Sequence, residues 1–310
     1  MLENLKNIFS KLSDDKNIKF SLDTDLSKYS TMKLSAKGSI IFVDSVDALE
    51  KVVRELAKEK VSYKLIGWGA NFIIPVNPSF VLVKLTFPFD RSIFSQEKKE
   101  FWIPSSAPLN ILTSIASKFG FQGWEVFTGV PASLGGAIAM NAGTSLGEIC
   151  ELIKEVKLLR TSGHIECHSV TKDSFSYRKN HFLNEGDVIL EALVFHKGID
   201  SKVNETIKNY LKLRTESQPL KQKTCGCMFK NLVYEANNKE MTCRAGLSID
   251  IMGLKGLSVN DLRISPKHAN FMENRGEAAS SDVTKLIEVT KRELKLQYGV
   301  EFETEVHFPK

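Results

Sequence analysis

Apolar residues recur at intervals of three and four along several segments, the spacing that places them on one face of a helix. The pattern predicts helices over residues 45–60, 109–119, 203–214 and 282–298. Asp44 or Ser45 can cap the first of these helices, and Ser280 or Ser281 can cap the last. Gly299 directly follows the last pattern, which is typical of a helix end.

Short runs of branched and aromatic residues predict strands between the helices. These runs cover residues 63–66, 81–85, 101–104, 155–160 and 188–195. A further strand is predicted over 300–308, where apolar residues alternate with Glu301, Glu303, Glu305 and His307. Three carboxylates on one face usually form a solvated edge, although one would be catalytic if the terminus folds into a cleft.

The stretch from Gly129 to Gly143 reads G-V-P-A-S-L-G-G-A-I-A-M-N-A-G and has almost no side chain to bury. Pro131 suits the first position of a helix, because its missing N–H would be unpaired there. The start of such a helix would attract an anion through its free N–H groups and its dipole. A ligand cradle and a close crossing of small-residue helices are equally consistent with this stretch.

A second glycine pair lies in G-W-G-A-N-F, residues 67–72. A Rossmann fingerprint needs a third glycine and must open a helix, whereas this pair runs into Ile73, Ile74 and Pro75. We therefore reject a Rossmann motif. Two alternatives remain: a turn whose backbone N–H groups hold phosphate, and a plain hairpin turn between strands. On these residues alone the plain turn is favoured.

Composition limits the class of protein. The chain has 310 residues, is 42% hydrophobic and 25% charged, and carries a net charge of +5 from dispersed basic residues. This balance suits anionic small ligands and argues against a nucleic-acid-binding protein. We find neither a signal peptide nor a membrane span and expect a cytoplasmic protein. Five cysteines then indicate reduced thiols, and the C-x-C of Cys225 and Cys227 lacks partners for a metal site.

Taken in order, the motifs resemble the UDP-N-acetylenolpyruvoylglucosamine reductase family from about residue 25 onward. The resemblance rests on the two glycine-containing stretches and on shorter motifs. These are S-Y-R at 176–178, G-C-M-F-K-N at 226–231, G-L-K-G at 253–256, H-A-N-F at 268–271 and E-T-E-V at 303–306. The long stretch that ends in M-N-A-G is the specific one, and the short Y-R region is similar to the shorter type of this family.

The resemblance implies an α+β fold. It predicts a two-lobed FAD-binding domain of the vanillyl-alcohol-oxidase/PCMH-like type and a C-terminal α+β domain that binds substrate. The implied divisions are residues 1–90 and 91–214 for the FAD-binding lobes, and 215–310 for the substrate-binding domain, whose last strand returns to the active site. Oligomeric state is not readable from the sequence, and we favour a monomer.

The resemblance also implies the ligands and the residues that bind them. The FAD-binding residues would be Gly67, Gly69, Ala70, Asn71, Phe72, Val130, Pro131, Ala132, Ser133, Gly135, Gly136 and Asn141. The nucleotide-sugar substrate would be bound by Tyr177, Lys230, Asn231, His268 and Asn270. NADPH would reduce the flavin, which then passes hydride to the enolpyruvyl substrate.

Arg178, Cys227 and Glu305 match the family's catalytic positions. The resemblance implies that Arg178 and Glu305 stabilise the charge that develops on the substrate, and that residue 227 donates a proton. Most family members have Ser there, and Cys227 is chemically acceptable because a thiol is the stronger acid. Further departures from the family pattern are Ala70, Ala132 and Leu247.

Two other functions remain open on the sequence. An FAD-dependent oxidase of the same flavin-binding superfamily would pass electrons to oxygen without needing NADPH. A non-catalytic protein that binds nucleotide sugars would have no use for the set of Arg178, Cys227 and Glu305. Fold analogy alone does not decide between these functions.

Overall fold

A computed structural model describes residues 2–236 and 239–309. Its helices are α1 (Leu2–Leu12), α2 (Val46–Lys58), α3 (Leu109–Phe119), α4 (Leu134–Ala139), α5 (Val203–Ser217), α6 (Ala245–Ile251) and α7 (Ser280–Tyr298). Its strands in the N-terminal half are β1 (Ile18–Asp25), β2 (Lys37–Val43), β3 (Tyr63–Leu65), β4 (Val81–Leu85), β5 (Glu100–Pro104), β6 (Gly143–Thr144), β7 (Gly147–Glu148) and β8 (Ile153–Leu159). The remaining strands are β9 (Ile165–Ser169), β10 (Phe175–Ser176), β11 (Lys179–Asn180), β12 (Val188–Phe195), β13 (Leu232–Ala236), β14 (Lys239–Cys243), β15 (Ser258–Val259), β16 (Leu262–Ile264) and β17 (Met272–Asn274).

The described residues fall into two compact units. The first contains residues up to Asp23, Ser39–Trp68 and Ser79–Leu213. The second contains Thr24–Gly38, Gly69–Pro78 and the chain from Arg214 onward. Within residues 2–236 and 239–309, none of the helices combines the length and the apolar character needed to cross a membrane.

The first sheet of the N-terminal part has the strand order β1-β2-β4-β3. Strand β4 runs parallel to both of its neighbours, β2 and β3. Parallel strands need a crossover, and α2 supplies one between β2 and β3. Val81, Leu82 and Val83 are all buried, as expected for a parallel strand that is covered on both faces.

Helix α2 confirms the prediction over residues 45–60. The Ser45 hydroxyl caps it by accepting a hydrogen bond from the N–H of Ala48 at 3.2 Å. Its apolar face is buried against the first sheet in a core shared with Leu5 and Ile8 of α1. The hydrophobic spacing therefore located this helix to within two residues at each end.

The second sheet of the first unit is antiparallel, with the order β5-β12-β8-β9. Helices α3 and α4 bury their apolar residues in its core, around Trp124 and Phe121. Helix α3 has the predicted bounds and ends at Gly120, which adopts the left-handed conformation. Strand β12 also has its predicted bounds.

The second unit combines helices α6 and α7 with the antiparallel sheet β15-β16-β17 and the hairpin β13-β14. Its core includes Met228, Phe229, Ile264 and Leu286. The predicted serine cap of α7 is wrong, because the helix already begins at Ser280. Instead, the Asp282 carboxylate accepts a hydrogen bond from the N–H of Ala279 at 2.9 Å.

Candidate functional site

The glycine-rich stretch forms a short helix that begins later than predicted. Helix α4 covers only Leu134–Ala139, and the Ser133 hydroxyl caps it by accepting from the N–H of Gly136 at 3.3 Å. Pro131 is therefore not the first helical residue, because a bridge to Pro108 holds Ser133 in an extended conformation. A six-residue helix has a weak dipole, so any ligand would be bound through close approach to the backbone.

Close packing explains two of the glycines in the first unit. A Cβ atom on Gly135 would lie 2.7 Å from the Cβ of Ser105, and one on Gly67 would lie 2.6 Å from the Oγ of Ser133. No side chain fits at these distances without a shift of its neighbours. The structure therefore brings Gly67, which follows β3, against the cap of the glycine-rich helix.

A pocket of about 180 Å³ lies at this contact. Its polar lining includes Gly67, Ser133, Gly135 and Gly136, all of which are predicted FAD-binding residues. Ser133 also caps α4. Its apolar lining includes Leu65, Ile66, Trp68, Leu85, Val188 and Ile189. The pocket thus offers backbone and hydroxyl groups next to an apolar wall, as a nucleotide requires.

The pocket also contains polar residues that the sequence analysis missed. Ser105 is only 3% exposed, and its hydroxyl has no hydrogen-bond partner in the protein. Lys84 is half-buried in the pocket wall, and burial lowers the pKa of its ammonium group. The unpartnered hydroxyl of Ser105 and the ammonium group of Lys84 are groups that a bound phosphate would contact through hydrogen bonds. In the sequence, Lys84 could have been recognised as a site residue because it is the charged residue in the apolar run V-L-V-K-L.

Asp187 is the carboxylate in this pocket, and the protein satisfies it. Its oxygens accept hydrogen bonds from the N–H groups of Asn184 at 2.8 Å and Thr161 at 3.3 Å. Arg160 forms a salt bridge to the same carboxylate. The hydrogen bonds and the arginine lower the pKa of Asp187 and outweigh the opposing effect of burial, which is the largest influence on it. Asp187 is therefore a structural anion of the pocket wall.

The loop that follows Trp68 does not form a hairpin turn. Strands β3 and β4 are parallel, and the residues between them contact the C-terminal segment of the second unit. Gly69 has a φ of 61°, and a Cβ there would lie 2.2 Å from the carbonyl oxygen of Tyr29. The plain-turn interpretation is therefore wrong.

Asn71 joins this loop to the segment that carries Glu305. Its side-chain Nδ2 donates to the Glu305 carbonyl at 2.8 Å, and its backbone carbonyl accepts from the N–H of His307 at 2.9 Å. The N–H of Ile73 in turn donates to the carbonyl of His307 at 2.9 Å. Phe72 contacts the His307 ring with 5.6 Å between centroids. Ala70, Asn71 and Phe72 thus lie along the C-terminal segment, and all three are half-buried.

Asn141 lies near the end of the glycine-rich stretch and is fully buried. Its side chain donates to Glu148 at 2.7 Å and to the carbonyl of Ser176 at 3.1 Å, and it accepts from the N–H of Cys150 at 3.3 Å. Its backbone φ is 44°, a value that Asn tolerates better than most residues. Asn141 therefore shapes the loop after α4.

Arg178 lies against the end of the same stretch. Its guanidinium donates to the carbonyl of Gly143 at 3.0 Å and to that of Asn141 at 3.4 Å. It also lies over the ring of Tyr177, 5.2 Å from the centroid. Tyr177 is 39% exposed and Arg178 is half-buried. The first unit thus brings Arg178 and Tyr177 to the M-N-A-G end of the glycine-rich stretch.

In the second unit, Cys227 and Glu305 lie on paired segments. Phe229 bridges to Thr304, and the N–H of Glu305 donates to the carbonyl of Met228 at 2.8 Å. Phe302 and Val306 are buried, while Glu301 and Glu303 are exposed, which confirms the predicted alternation. The segment is held by bridges and lacks the regular strand that was predicted over 300–308.

The two cysteines of the C-x-C motif have different surroundings. Cys225 is buried, and burial, assisted by the Glu305 charge, raises the pKa of its thiol to about 12. Cys227 is half-buried. Cys225 is therefore a protonated, inert thiol at neutral pH, whereas Cys227 retains access to solvent.

The predicted substrate-binding residues of the second unit differ in the hydrogen bonds and ion pairs that their side chains form within the protein. Lys230 forms a salt bridge to Glu303 at 3.0 Å, and Glu303 is 80% exposed. The Asn231 side chain accepts from the N–H of Ala245 at 3.1 Å. Burial lowers the pKa of His268, whose Nδ1 accepts from the N–H of Asn270 at 3.2 Å. The Asn270 side chain is 3% exposed and pairs with the backbone of Phe229.

Comparison with known proteins supplies independent findings. Residues 218–309 match the family model for the C-terminal domain of UDP-N-acetylenolpyruvoylglucosamine reductase, and residues 38–168 match an FAD binding domain. The enzyme of that name from Chlamydia felis is 32% identical over 290 residues, with 91% of each chain covered. That from Bacillus pumilus is 28% identical, with 98% of each chain covered.

A solved structure agrees with these sequence matches. The crystal structure of UDP-N-acetylenolpyruvylglucosamine reductase from Thermus caldophilus has a TM-score of 0.74 at 27% identity. The match covers 94% of this chain and 99% of that one. The predicted α+β fold with an FAD-binding domain is thereby confirmed.

Proposed function

The chain belongs to the UDP-N-acetylenolpyruvoylglucosamine reductase family, and we propose that it reduces UDP-N-acetylglucosamine enolpyruvate to UDP-N-acetylmuramate with FAD and NADPH. This reaction supplies a precursor of peptidoglycan. The observation that carries the proposal is the hydrogen bond between the segments of Cys227 and Glu305, which joins the proposed acid and carboxylate in one unit. A protein that only binds nucleotide sugars would have no need of this pairing.

The groups that line the pocket of the first unit suit part of an FAD molecule. Gly67 and Gly135 place no side chain of their own in the pocket, which also contains the orphan hydroxyl of Ser105 and the cation of Lys84. Its volume of about 180 Å³ would hold part of the dinucleotide. We propose that Gly67, Ser133, Gly135 and Gly136 bind the part of FAD that occupies this pocket.

The remaining cofactor-binding assignments are Gly69, Ala70, Asn71, Phe72, Val130, Pro131, Ala132 and Asn141. Val130 and Ala132 lie in the tight turn before α4, where the N–H of Ala132 donates to the carbonyl of Val130 at 2.9 Å, and both are half-buried. Asn141 would act by holding the loop, since its side chain is committed to three hydrogen bonds within the protein.

FAD held by these residues would supply the hydride-transfer chemistry between NADPH and the methylene carbon of the enolpyruvyl group. Negative charge then develops on the adjacent carbon and its carboxylate. We assign Arg178 the stabilisation of that charge, because its guanidinium is oriented by the carbonyls of Gly143 and Asn141. We assign the second role in stabilising this charge to Glu305, acting as the protonated acid that donates a hydrogen bond.

Cys227 would complete the reduction by donating its Sγ proton to that carbon. A thiol is a far stronger acid than a serine hydroxyl. Cys225 would not substitute for it, because its pKa of about 12 makes it the poorer acid. The thiolate left on Cys227 would be reprotonated from solvent before the next cycle.

The nucleotide sugar requires cationic and aromatic groups. We propose that Lys230 binds a phosphate group, for which it would leave the exposed carboxylate of Glu303. His268 and Tyr177 are proposed as direct contacts, since both are partly accessible. Asn231 and Asn270 would act through the backbone that their amides hold.

We also propose the domain division at residues 90 and 214, with two FAD-binding lobes and a substrate-binding domain. Three buried cores, around the first sheet, the second sheet and helix α7, support three divisions. The cores also cross the proposed boundaries, since Val188 and Leu190 join the first core and Met32 and Ile73 join the third. We further propose a cytoplasmic monomer that binds no nucleic acid. Its five free thiols suit a reducing compartment, and its basic residues are dispersed.

The experiment is a product assay under air with the FAD-loaded protein, NADPH and the enolpyruvyl substrate. We expect one UDP-N-acetylmuramate, identified by mass spectrometry, for each NADPH consumed, with little oxygen uptake. Stoichiometric oxygen uptake without product would contradict the proposal and indicate the oxidase.

A further inference from the structure

The segment that carries Cys227 is held on both of its sides within the second unit. On one side, Cys227 bridges to Phe271, and the N–H of Met228 donates to the carbonyl of Asn270 at 2.7 Å. On the other side, the N–H of Glu305 donates to the carbonyl of Met228 at 2.8 Å. The thiol segment is thus the middle one of three, between the turn at 268–271 and the C-terminal segment.

The Asn270 side chain adds a second pair of hydrogen bonds to this arrangement. Its Oδ1 accepts from the N–H of Phe229 at 3.0 Å, and its Nδ2 donates to the carbonyl of Phe229 at 2.8 Å. A carboxamide has both a donor and an acceptor, so it pairs with a peptide group as another strand residue would. At 3% exposure, this side chain is enclosed with its partner.

We propose that Asn270 is a positioning residue that fixes the Cys227 thiol relative to Glu305 by clamping the backbone two residues after Cys227. The role assigned to that thiol rests on the proposed function, whereas the clamp itself rests on hydrogen bonds within the protein. Loss of the clamp leaves the amide and carbonyl of Phe229 without partners, so that only backbone contacts such as the Met228 N–H to Asn270 carbonyl bond hold the thiol segment on that side. Displacement of the thiol then slows protonation of the substrate carbon.

Asn274 provides a matched control. It is also 3% exposed, and its Nδ2 donates to the carbonyls of Met32 at 3.0 Å and Lys33 at 3.1 Å. Asn270→Ser and Asn274→Ser therefore remove the same kind of buried amide in the same unit. Of these two side chains, that of Asn270 holds the segment next to Cys227.

The test measures thiol reactivity on the full-length FAD-loaded protein. Iodoacetamide modification of Cys227 is followed by peptide mass spectrometry and expressed relative to Cys167, an exposed thiol of the first unit. We expect Asn270→Ser to change this ratio by at least about fivefold, because a shift of 1 Å in a reacting group has large rate effects. Asn274→Ser should leave the ratio within about twofold of wild type. Equal ratios in the two variants would overturn the proposal.

Kinetics provide the second readout. Asn270→Ser should slow reoxidation of the reduced flavin by enolpyruvyl substrate about 10- to 100-fold, with the substrate KM and the rate of reduction by NADPH nearly unchanged. A raised KM with an unchanged rate would indicate a direct substrate contact and contradict the positioning role. If wild-type protein shows no reoxidation by the substrate, the proposed function fails, and the alkylation ratio still decides the clamp.

If the serine variant does not fold, Asn270→Asp replaces it in the test. Its carboxylate still accepts from the N–H of Phe229, and only the hydrogen bond donated to the Phe229 carbonyl is lost. The same alkylation ratio is then measured over a range of pH to separate the new charge from the displacement. If neither Asn270 variant folds while Asn274→Ser does, Asn270 is a general requirement for folding and the proposal is overturned.

Discussion

Glu305 donates its backbone N–H to the carbonyl of Met228 at 2.8 Å, one residue after Cys227. This bond and the bridge between Phe229 and Thr304 fix how the C-terminal segment aligns with the thiol segment. Because side chains alternate along extended chains, the alignment also determines which residues of the two segments are neighbours. The proposed acid and carboxylate are thus held by backbone geometry.

Cys227→Ala should separate the two halves of the reaction. Flavin reduction by NADPH should proceed at nearly the wild-type rate, because no proton from this thiol is needed. Reoxidation by enolpyruvyl substrate should slow by about 10²- to 10⁴-fold, the usual contribution of a general acid. Stopped-flow absorbance of each half-reaction measures both rates.

Cys227→Ser is the control for this variant. A hydroxyl at the same position should restore a large part of the reoxidation rate lost in the alanine variant, since the geometry is retained. Reoxidation of Cys227→Ala at the wild-type rate would exclude Cys227 as the proton donor.

Gly136→Ala should affect cofactor binding and stability in opposite directions. The added Cβ would meet only the Ser133 hydroxyl, at 3.3 Å, and it would lie at the pocket. Alanine should stabilise α4 by about 0.5–1 kcal/mol, whereas FAD affinity should fall as the methyl group takes up ligand space. Thermal unfolding without added flavin and FAD titration by fluorescence give the two quantities.

Gly135→Ala is the comparison for that variant. Its Cβ would lie 2.7 Å from the Cβ of Ser105, so it should destabilise the protein by about 1–3 kcal/mol in addition to weakening FAD binding. Unchanged FAD affinity in Gly136→Ala would show that the ligand does not reach this part of the pocket.

Much of this fold follows from local rules. The bounds of α3 and β12 could be predicted because periodicity and a flanking glycine define them within the segment itself. The start of α4 could not, because a bridge to Pro108, distant in sequence, holds Ser133 in an extended conformation and delays the helix to Leu134. Tertiary contacts of this kind outweigh the preference of Pro for a first helical turn.

The candidate site was predictable to a smaller extent. The motifs identified the glycines, Arg178, Cys227 and Glu305. The charge in V-L-V-K-L marked Lys84 as unusual, but only the structure shows that Lys84 and Ser105 line one pocket wall. The alternation over 300–308 indicated the buried face of that segment. It contained no information on pairing with Asn71 or Met228, because such register is set between distant segments.

Lys84→Met should weaken FAD binding by about tenfold or more, the value of a charged hydrogen bond to phosphate. The affinity of the variant should also depend less on salt, because one ionic contact is lost. Lys118→Met, which changes an exposed lysine beside Phe119, is the control and should leave the affinity unchanged. Equal dissociation constants for Lys84→Met and wild type would remove Lys84 from the cofactor site.

Cys225 should make the protein less stable in alkali. Its pKa is raised to about 12 in the folded state, so above pH 9 the unfolded chain loses this proton while the folded protein keeps it. Stability should therefore fall by up to about 1.4 kcal/mol per pH unit between pH 9 and the folded pKa. Cys225→Ala should lack this contribution, so the difference in urea midpoint between wild type and variant should shrink from pH 8 to pH 10.5. A constant difference across this range would contradict the raised pKa.

The central claim is that this protein carries electrons from NADPH to an enolpyruvyl nucleotide sugar through bound FAD. Its most direct test is the anaerobic visible spectrum of the purified FAD-loaded protein, recorded after NADPH and again after UDP-N-acetylglucosamine enolpyruvate. We predict that the visible absorbance band of the oxidised flavin falls with NADPH and returns with the substrate. A band that returns only when oxygen is admitted, or a protein that does not take up FAD, would contradict the account.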